Sequence, residues 1–379
     1  MTTGASVFGP AQPTPLEARI AELIREAGPI DIATFMTLAL GHPTLGYYQS
    51  DVRLGADGDF VTSPELSQIF GELIGLGLAA AWQAADGPPV HLVELGPGNG
   101  TLMADLWRAT GRLPGWPEAL DVHLVETSGR LRRRQQDRLA AIERVQWHES
   151  LATLPDDRPL LVIANELFDA LPIRQLILEA DGWHEVRVDL DADGRLCLGR
   201  ADELSALSDG LGREASLEGL AEGSVIELSP ARDAMMAELA QRLRDQGGIA
   251  LIIDYGELEP TPGSTLQAVS RHRKVDPLTR PGEVDLSSRV AVGALARTAT
   301  ALGLTAYGPV PQGSFLSRLG AELRLEQLVR GASPATAERL QLGHRRLTAA
   351  DAMGELFKVL AVCRWPLTPP GFLPEEVLR

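Results

Sequence analysis

Cysteine is nearly missing from this 379-residue chain, which has only Cys197 and Cys363. Two cysteines cannot build a disulfide framework and have no metal-type spacing, so a reducing compartment is the expected setting. Long apolar runs are missing too. The longest, LIGLGLAAAW from Leu73 to Trp82, falls well short of the ~20 residues that cross a bilayer, so no membrane insertion is expected. Positive charge is scarce: 35 Lys and Arg stand against 51 Asp and Glu, a formal charge of −16. That balance works against nucleic acid as a partner, because phosphates must be neutralised by cations; a basic partner suits it better. The opening MTTGASVFGPAQPTP has neither the basic start and apolar core of a secretory signal nor an Arg-rich amphipathic pattern. A cytoplasmic protein is therefore expected. The seven histidines look scattered, with no helical pairing to carboxylates in ligand spacing, and no metal is expected.

What is present reads as an ordinary globular protein of two to three units by length. Leu16, Ile20, Leu23 and Ile24 mark one face of a helix over Pro15–Ala27. Asp31 is placed to cap a second helix through Leu40, and Ser63-Pro64 to open a third running to Trp82. From Val90 the texture changes to short apolar runs separated by helical patterns: VHLVEL, DVHLVE, PLLVIA and IALIID. Such runs predict a mostly parallel sheet with helices on both faces. Between the third and fourth, RQLILEADGWHEVRVDLDADGRLCLGR alternates polar and apolar around Asp-Gly turns, as an inserted β-meander would. A polar region over 201–224, a helix from Ala231 to Gln246, a long polar loop after Asp254, a helix over Val290–Leu302, an Arg/Leu-rich helical stretch over 318–350 and a last strand, FKVLAVCR, complete the chain. The expected division is 1–85 helical segment and lid, 86–175 and 229–310 the two parts of one α/β domain, 176–228 the inserted meander, 311–352 a helical insertion, and 353–379 the last strand and tail.

The most informative stretch is VELGPGNGTL, Val93 to Leu102. Gly96, Pro97, Gly98 and Gly100 follow a strand and precede a helix, where glycines let a ligand approach main-chain N–H groups. A turn with no ligand could carry the same pattern. The spacing, however, is G-x-G-x-G and not the G-x-G-x-x-G of dinucleotide binders. Glu94, two residues before the first glycine, would repel a pyrophosphate but could meet an ammonium. Glu126, at the end of the next strand, could accept hydrogen bonds from both hydroxyls of a ribose. Adenosine joined to an amino acid without phosphate fits this set, and S-adenosyl-L-methionine is that molecule. The pattern resembles motif I of class I methyltransferases. The third strand, VQWHESL, then offers Trp147, Glu149, Ser150 and Leu151 to the adenine, Trp147 being equally readable as a core aromatic.

The fourth strand runs into Asn165-Glu166-Leu167-Phe168-Asp169, at the sheet end where open α/β folds bind ligands. The methyl of a sulfonium is already labile, so the protein has mainly to aim a nucleophile and accept its proton. A guanidinium has a pKa above about 12; carboxylates bonded to two of its N–H groups would localise its charge and leave a third nitrogen to attack. Asn165, Glu166 and Asp169 are the catalytic candidates, against the plainer reading of Asp169 as a helix cap and Glu166 as a loop acid.

GHPTLGYY (from Gly41), GDFVTSPELSQIFGELIG (from Gly58), VELGPGNGTL, NELFDALPIRQ (from Asn165), IDYGE (from Ile253) and MGELFKVL (from Met353) occur in that order. Together they resemble the MidA family of methyltransferases that act in assembly of respiratory complex I. The resemblance implies a class I, Rossmann-like methyltransferase fold with a helical N-terminal segment and inserted β and helical elements. It also implies arginine methylation of the 49-kDa-type subunit of complex I. Donor contacts are implied at Glu94, Gly96, Gly98, Gly100 and Glu126, and a lid at Thr62, Ser63, Pro64, Glu65 and Gln68, with Asp59 and Phe60 beside it. After Asp285-Leu286-Ser287 the chain departs from many relatives, with Arg289-Val290-Ala291-Val292 in place of an acid and an aromatic; Asp285 is kept as a contact. Three other readings stay open: a non-catalytic donor-binding assembly chaperone, a small-molecule methyltransferase, and a nicotinamide oxidoreductase, the last disfavoured by the glycine spacing and Glu94.

Overall fold

Four apolar runs of the sequence become neighbouring parallel strands. The computed structural model describes residues 12–49, 61–206, 219–270 and 273–378. The central strands are β1 (Val90–Leu95), β2 (Leu120–Val125), β3 (Val145–His148) and β4 (Leu160–Asn165). The expected meander follows as β5 (Arg174–Glu179), β6 (Gly182–Leu190) and β7 (Leu196–Leu204), joined by β8 (Val225–Leu228). Further along come β9 (Gly248–Glu257), the short β10 (Gln267–Ser270), β11 (Arg273–Val275) and β12 (Asp285–Ser287), then β13 (Thr305–Pro311), β14 (Phe357–Cys363) and β15 (Val377–Leu378).

The main sheet has the order β15-β13-β14-β9-β4-β1-β2-β3. Strands β3, β2, β1, β4 and β9 are parallel, and β14 lies antiparallel to both β9 and β13. All six residues of β1 are buried, as a strand covered on both faces requires. Chain order reverses between β1 and β4, and the turns beyond their C-termini carry the glycine loop and Asn165 side by side. This switch point is where open α/β sheets form their ligand crevice.

The helices pack where their patterns place them. Pro15–Ala27 is α1, with Thr14 and Glu17 forming a capping box, and Ile32–Gly41 is α2, capped by Asp31 at 2.6 Å from the Thr34 amide. The single helix expected from Ser63 to Trp82 is two: α3 (Ser63–Leu66) and α4 (Gln68–Ala84). Ser67 sits between them in extended backbone (φ −161°, ψ 136°), its hydroxyl accepting from the Ile69 amide of α4. Ser is as good an N-cap as a helix residue, and here the cap wins. On α4, Gly71 and Gly75 admit α5 (Thr101–Thr110) at close range: a Cβ on either would lie 2.7 Å from Asp105 Cβ or Leu106 Cγ. Glu72 between them is 1% exposed and is held by Arg108 of α5 and by Nε and Nη2 of Arg324, at 2.8 and 3.0 Å. The most distinctive stretch of the sequence is thus partly a packing device, a buried acid neutralised by two cations.

Two other expectations need correction, and one is only partly tested. The long polar loop after Asp254 contains the β12, β10 and β11 sheet, whose strands are too short to show alternation. The polar region 201–224 is described only at its edges, and Asp59 and Phe60 lie outside the described residues. The histidines are not all scattered. His91 on β1, His123 on β2 and His148 on β3 form a hydrogen-bonded chain, His91 to His123 at 3.0 Å and His123 to His148 at 2.9 Å, with Asp157 2.9 Å from the outer nitrogen of His91. Parallel pairing staggers these three across the sheet. Because an ionised Asp157 only accepts, neutral imidazoles all carry their proton on Nε2. Burial and the flanking histidines push His123 down to about 4, in keeping with a neutral chain. After α6 (Gly129–Arg138), the helices α7 (Pro230–Gln246), α8 (Val292–Ala301), α9 (Gln312–Arg318), α10 (Ala321–Val329) and α11 (Pro334–Thr348) complete the layers. Among the described residues no helix is long and apolar enough to cross a membrane.

Candidate active site

Beyond the β1 and β4 termini opens a cleft of about 420 Å³. Its donor-side wall begins with the glycine turn. Gly96, Gly98 and Gly100 have φ of +63°, +52° and +74°, a left-handed backbone that costs a residue with a Cβ roughly 1–2 kcal/mol. At Gly96 space is also closed, since a Cβ would stand 2.9 Å from Leu167 Cδ1. The turn is braced by Gly96 N donating to Val125 O (3.0 Å) and Gly100 N to Pro97 O (2.7 Å). Gly96, Pro97 and Gly98 line the cleft; Gly100 does not, and instead caps α5.

The two acids differ in what surrounds them. Glu94 is 3% exposed and reaches the cleft, and its Oε2 has no hydrogen-bond partner among the described residues. Burial pushes it up to about 8, against the stabilising amide of Met103 at the start of α5. Glu126 is equally enclosed but well served: Oε1 accepts from Ser128 N at 2.7 Å and Oε2 from Gln135 Nε2 at 3.2 Å. Burial raises its pKa, and these donors lower it. Gln135, buried on α6, also donates to Gly98 O at 2.8 Å and accepts from Trp147 Nε1 at 2.9 Å. That residue was not legible as a site residue. Trp147 itself is not among the residues lining the cleft; its ring packs against the main core and its indole N–H donates to Gln135. Glu149, Ser150 and Leu151 do line the cleft, next to Glu126.

The opposite wall comes from the β4 terminus. Asn165 Nδ2 donates to Glu166 Oε1 at 3.0 Å, while its own Oδ1 is buried without a partner among the described residues. Glu166 has φ +51°, a strained position for a non-glycine residue of the kind that collects at functional sites. Its Oε1 also accepts from the Ser63 amide at 2.8 Å. Glu166 faces the cleft and is partly exposed to it, but protein encloses it on the other sides, and burial pushes it up to about 7. Asp169 is raised to about 6, burial outweighing the nearby Arg232. Tyr48, Met235, Glu238 and Asp285 complete this side, of which only Asp285 was anticipated. The hydroxyl of Tyr48 is held well above its ordinary pKa by burial, then by Asp285 and Asp169.

From the N-terminal segment, Thr62, Pro64 and Glu65 line the cleft. Glu65 Oε1 accepts from Asn99 Nδ2 (3.2 Å) and Thr101 Oγ1 (2.6 Å), so α3 is tied to the glycine turn on one side and, through Ser63 N, to Glu166 on the other. The Ser63 side chain is buried against Gln312, and Gln68 turns away to Glu72 at 3.2 Å. Neither Ser63 nor Gln68 belongs to the cleft wall.

Two enclosed acceptors without partners, Glu94 Oε2 and Asn165 Oδ1, face one cleft across a glycine turn. A donor molecule with N–H groups at both sides suits them, since a buried unsatisfied acceptor costs roughly 1–3 kcal/mol. Sheet order, crevice and glycine turn together define a class I, Rossmann-like methyltransferase. Residues 73–310 match the family described as "Putative S-adenosyl-L-methionine-dependent methyltransferase". The chain is 36% identical to the protein arginine methyltransferase NDUFAF7 homolog, mitochondrial, of Drosophila melanogaster, over 92% of this chain and 84% of that one. It is 32% identical to the mitochondrial NDUFAF7 of Homo sapiens over 92% and 83%. A crystal structure from Burkholderia thailandensis, a "likely methyl transferase" bound to S-adenosyl-homocysteine, superposes with a TM-score of 0.82 at 28% identity, covering 97% and 98% of the two chains. The chain belongs to this S-adenosyl-L-methionine-dependent methyltransferase family, which the sequence motifs mark as the MidA family. The expectation of a cytoplasmic protein is overturned by the same relatives, which are named as mitochondrial.

Proposed function

We propose that the protein is an S-adenosylmethionine-dependent protein arginine N-methyltransferase, with the 49-kDa-type subunit of complex I as its target. The observation that carries this reading is the pairing of Glu166 and Asp169 beside the unpartnered Asn165 Oδ1 in one cleft. Three acceptors, with no cation among the described residues of the wall, suit a cationic, multi-donor side chain. The names of the relatives support the same chemistry.

In this reading Glu94, Gly96, Pro97, Gly98, Glu126, Glu149, Ser150 and Leu151 hold S-adenosylmethionine, with Gly100 shaping the turn. When bound, the donor supplies a methyl group made electrophilic by its sulfonium. Glu166 and Asp169 accept N–H bonds from the target guanidinium, and Asn165 Oδ1 orients the attacking nitrogen. Methylation leaves that nitrogen with a proton to lose. Glu166, with a pKa pushed up to about 7, is matched to take it near neutral pH. Thr62, Pro64 and Glu65, at the start of α3, supply the N-terminal part of the cleft wall, and Ser63 fixes Glu166 through its amide. Tritium-methyl donor incubated with the recombinant 49-kDa-type subunit tests the proposal: acid hydrolysis should return label as methylated arginine. Label only in small molecules, or in another amino acid, would overturn it.

A further inference from the structure

The mechanism uses Asp169 but does not explain what holds it. Its turn is gripped from two sides by buried groups. Asp254, 0% exposed on β9, accepts from Phe168 N at 2.9 Å and Asp169 N at 3.2 Å through Oδ2, and from Tyr255 N at 2.8 Å through Oδ1. Arg232, 6% exposed in the first turn of α7, donates to Phe168 O (2.7 Å), Arg289 O (2.7 Å), Asp169 O (3.3 Å), Ser288 O (3.0 Å) and Ser288 Oγ (2.8 Å). Ser288 N closes the ring by donating to Asp169 O at 3.0 Å.

We infer that Arg232 and Asp254 are positioning residues that fix the Asp169 carboxylate in the cleft, the acid taking the amides of its turn and the guanidinium the carbonyls. This rests on the methyl-transfer reading of the cleft. A fan of five contacts from three planar nitrogens, reaching four carbonyls and one hydroxyl, is a task for arginine; lysine offers a point charge with three donors on one nitrogen. A buried cation spent mainly on main-chain carbonyls is costly unless its charge is balanced nearby. Here the balance comes chiefly from Asp254 and Asp169, then Glu227 and Asp233.

The same arrangement couples placement to charge. Arg232 is the attractive charge acting on Asp169, opposing burial. Asp254, itself raised by burial, feels Asp169, Arg232 and Glu166. Tyr48 and Asp285 line the cleft on the same side as Asp169, and both acids act on the Tyr48 hydroxyl. Removing the guanidinium charge therefore makes Asp169 a weaker acid, whereas replacing it with another cation does not.

The test uses full-length protein with 13C-labelled aspartate carboxyls, the Asp169 resonance being the one lost in Asp169→Asn. In the parent it should titrate near 6. In Arg232→Gln the midpoint should rise by about one unit or more, a tenfold weaker acid, while calorimetric affinity for S-adenosylmethionine stays within about threefold because Glu94 and Glu126 are untouched. Should Arg232→Gln fail to fold, Arg232→Lys is the second variant: its midpoint should stay at the parent value while target KM rises and donor affinity holds. An unmoved midpoint in Arg232→Gln, or parental target KM in Arg232→Lys, would overturn the inference. The titration needs no target, so a parent enzyme that fails to methylate arginine would refute the proposed function and leave this result readable.

Discussion

Glu94→Gln should abolish a pH dependence of donor binding that the parent shows. The carboxyl is buried and pushed up to about 8, so at pH 7 only about one molecule in ten carries it ionised. An ammonium beside it favours the ionised form, and binding must then expel a proton. At pH 7 that expulsion costs about 1.4 kcal/mol, and each further unit of acidity weakens binding about tenfold. Between pH 5.5 and 7, below the ~7.7–8.0 at which an α-amino group itself titrates, affinity should therefore climb steadily. Calorimetry in two buffers of different ionisation enthalpy should show about 0.9 proton released per donor bound at pH 7. Glutamine keeps the size and hydrogen bonding of the side chain but cannot ionise. The variant should bind about 10–100-fold more weakly at pH 7.5, the worth of a charge-assisted hydrogen bond, with a flat pH profile and no buffer-dependent heat. A parent that binds without releasing a proton, or a variant that keeps the parental slope, would place the ammonium elsewhere and refute the assignment of Glu94.

Glu166→Gln should leave donor affinity within about threefold and lower the rate of methyl transfer about 10²–10⁴-fold, the usual worth of a positioned base. The parental rate should rise with pH through about 7, as Glu166 gains charge, and stopped turnover measurements from pH 5.5 to 8.5 would expose a flat limb if Glu166 is idle. Gly98→Val puts a β-branched side chain at φ +52°, a strained outlier; isothermal titration should show donor binding lost while circular dichroism keeps its parental shape, and retained affinity would mean the donor does not lie along this turn. For His123 the folded pKa is depressed to about 4 from 6.5, so the unfolded chain takes up the proton first. Its stabilising contribution is complete above about pH 6.5 and drains away as pH falls toward 4, about 2 kcal/mol being gone by pH 5. Urea melts at pH 7 and 5 should show that loss and its reduction in His123→Gln; equal sensitivity in both proteins would mean that other groups carry it.

Strands with continuous apolar runs were legible because burial on both faces leaves only one composition for them. The glycine turn was legible because positive φ at Gly96, Gly98 and Gly100 restricts the residue type. What was missed has a common cause. Strands β10, β11 and β12 hold three or four residues each, too few for a period to show. Gln135, Arg232 and Asp254 reach the site from elements far away in the chain, as ordinary polar letters in helical or strand patterns. The histidine chain was invisible for the same reason, since His91, His123 and His148 meet only when β1, β2 and β3 align. Trp147 stayed open between adenine and core because a strand position does not say where an indole N–H finds its acceptor.

The acids make the point in its sharpest form. Glu94, Glu126, Asp254 and Glu72 each follow or occupy an apolar element; local sequence sets Glu94 and Glu126 apart by their place around the glycine turn, but does not say which of the four stands without a partner. Donor count separates them. Asp254 accepts three main-chain amides and Glu126 an amide and a carboxamide, so both are engaged before any ligand arrives. Glu72 is neutralised by two arginines. Glu94 keeps one oxygen enclosed and unmatched, and burial with so little compensation is a standing cost unless a partner comes from outside. Of these four it is the one whose environment asks for an incoming donor, and its calorimetric proton count is for that reason the measurement on which the assignment of this cleft turns.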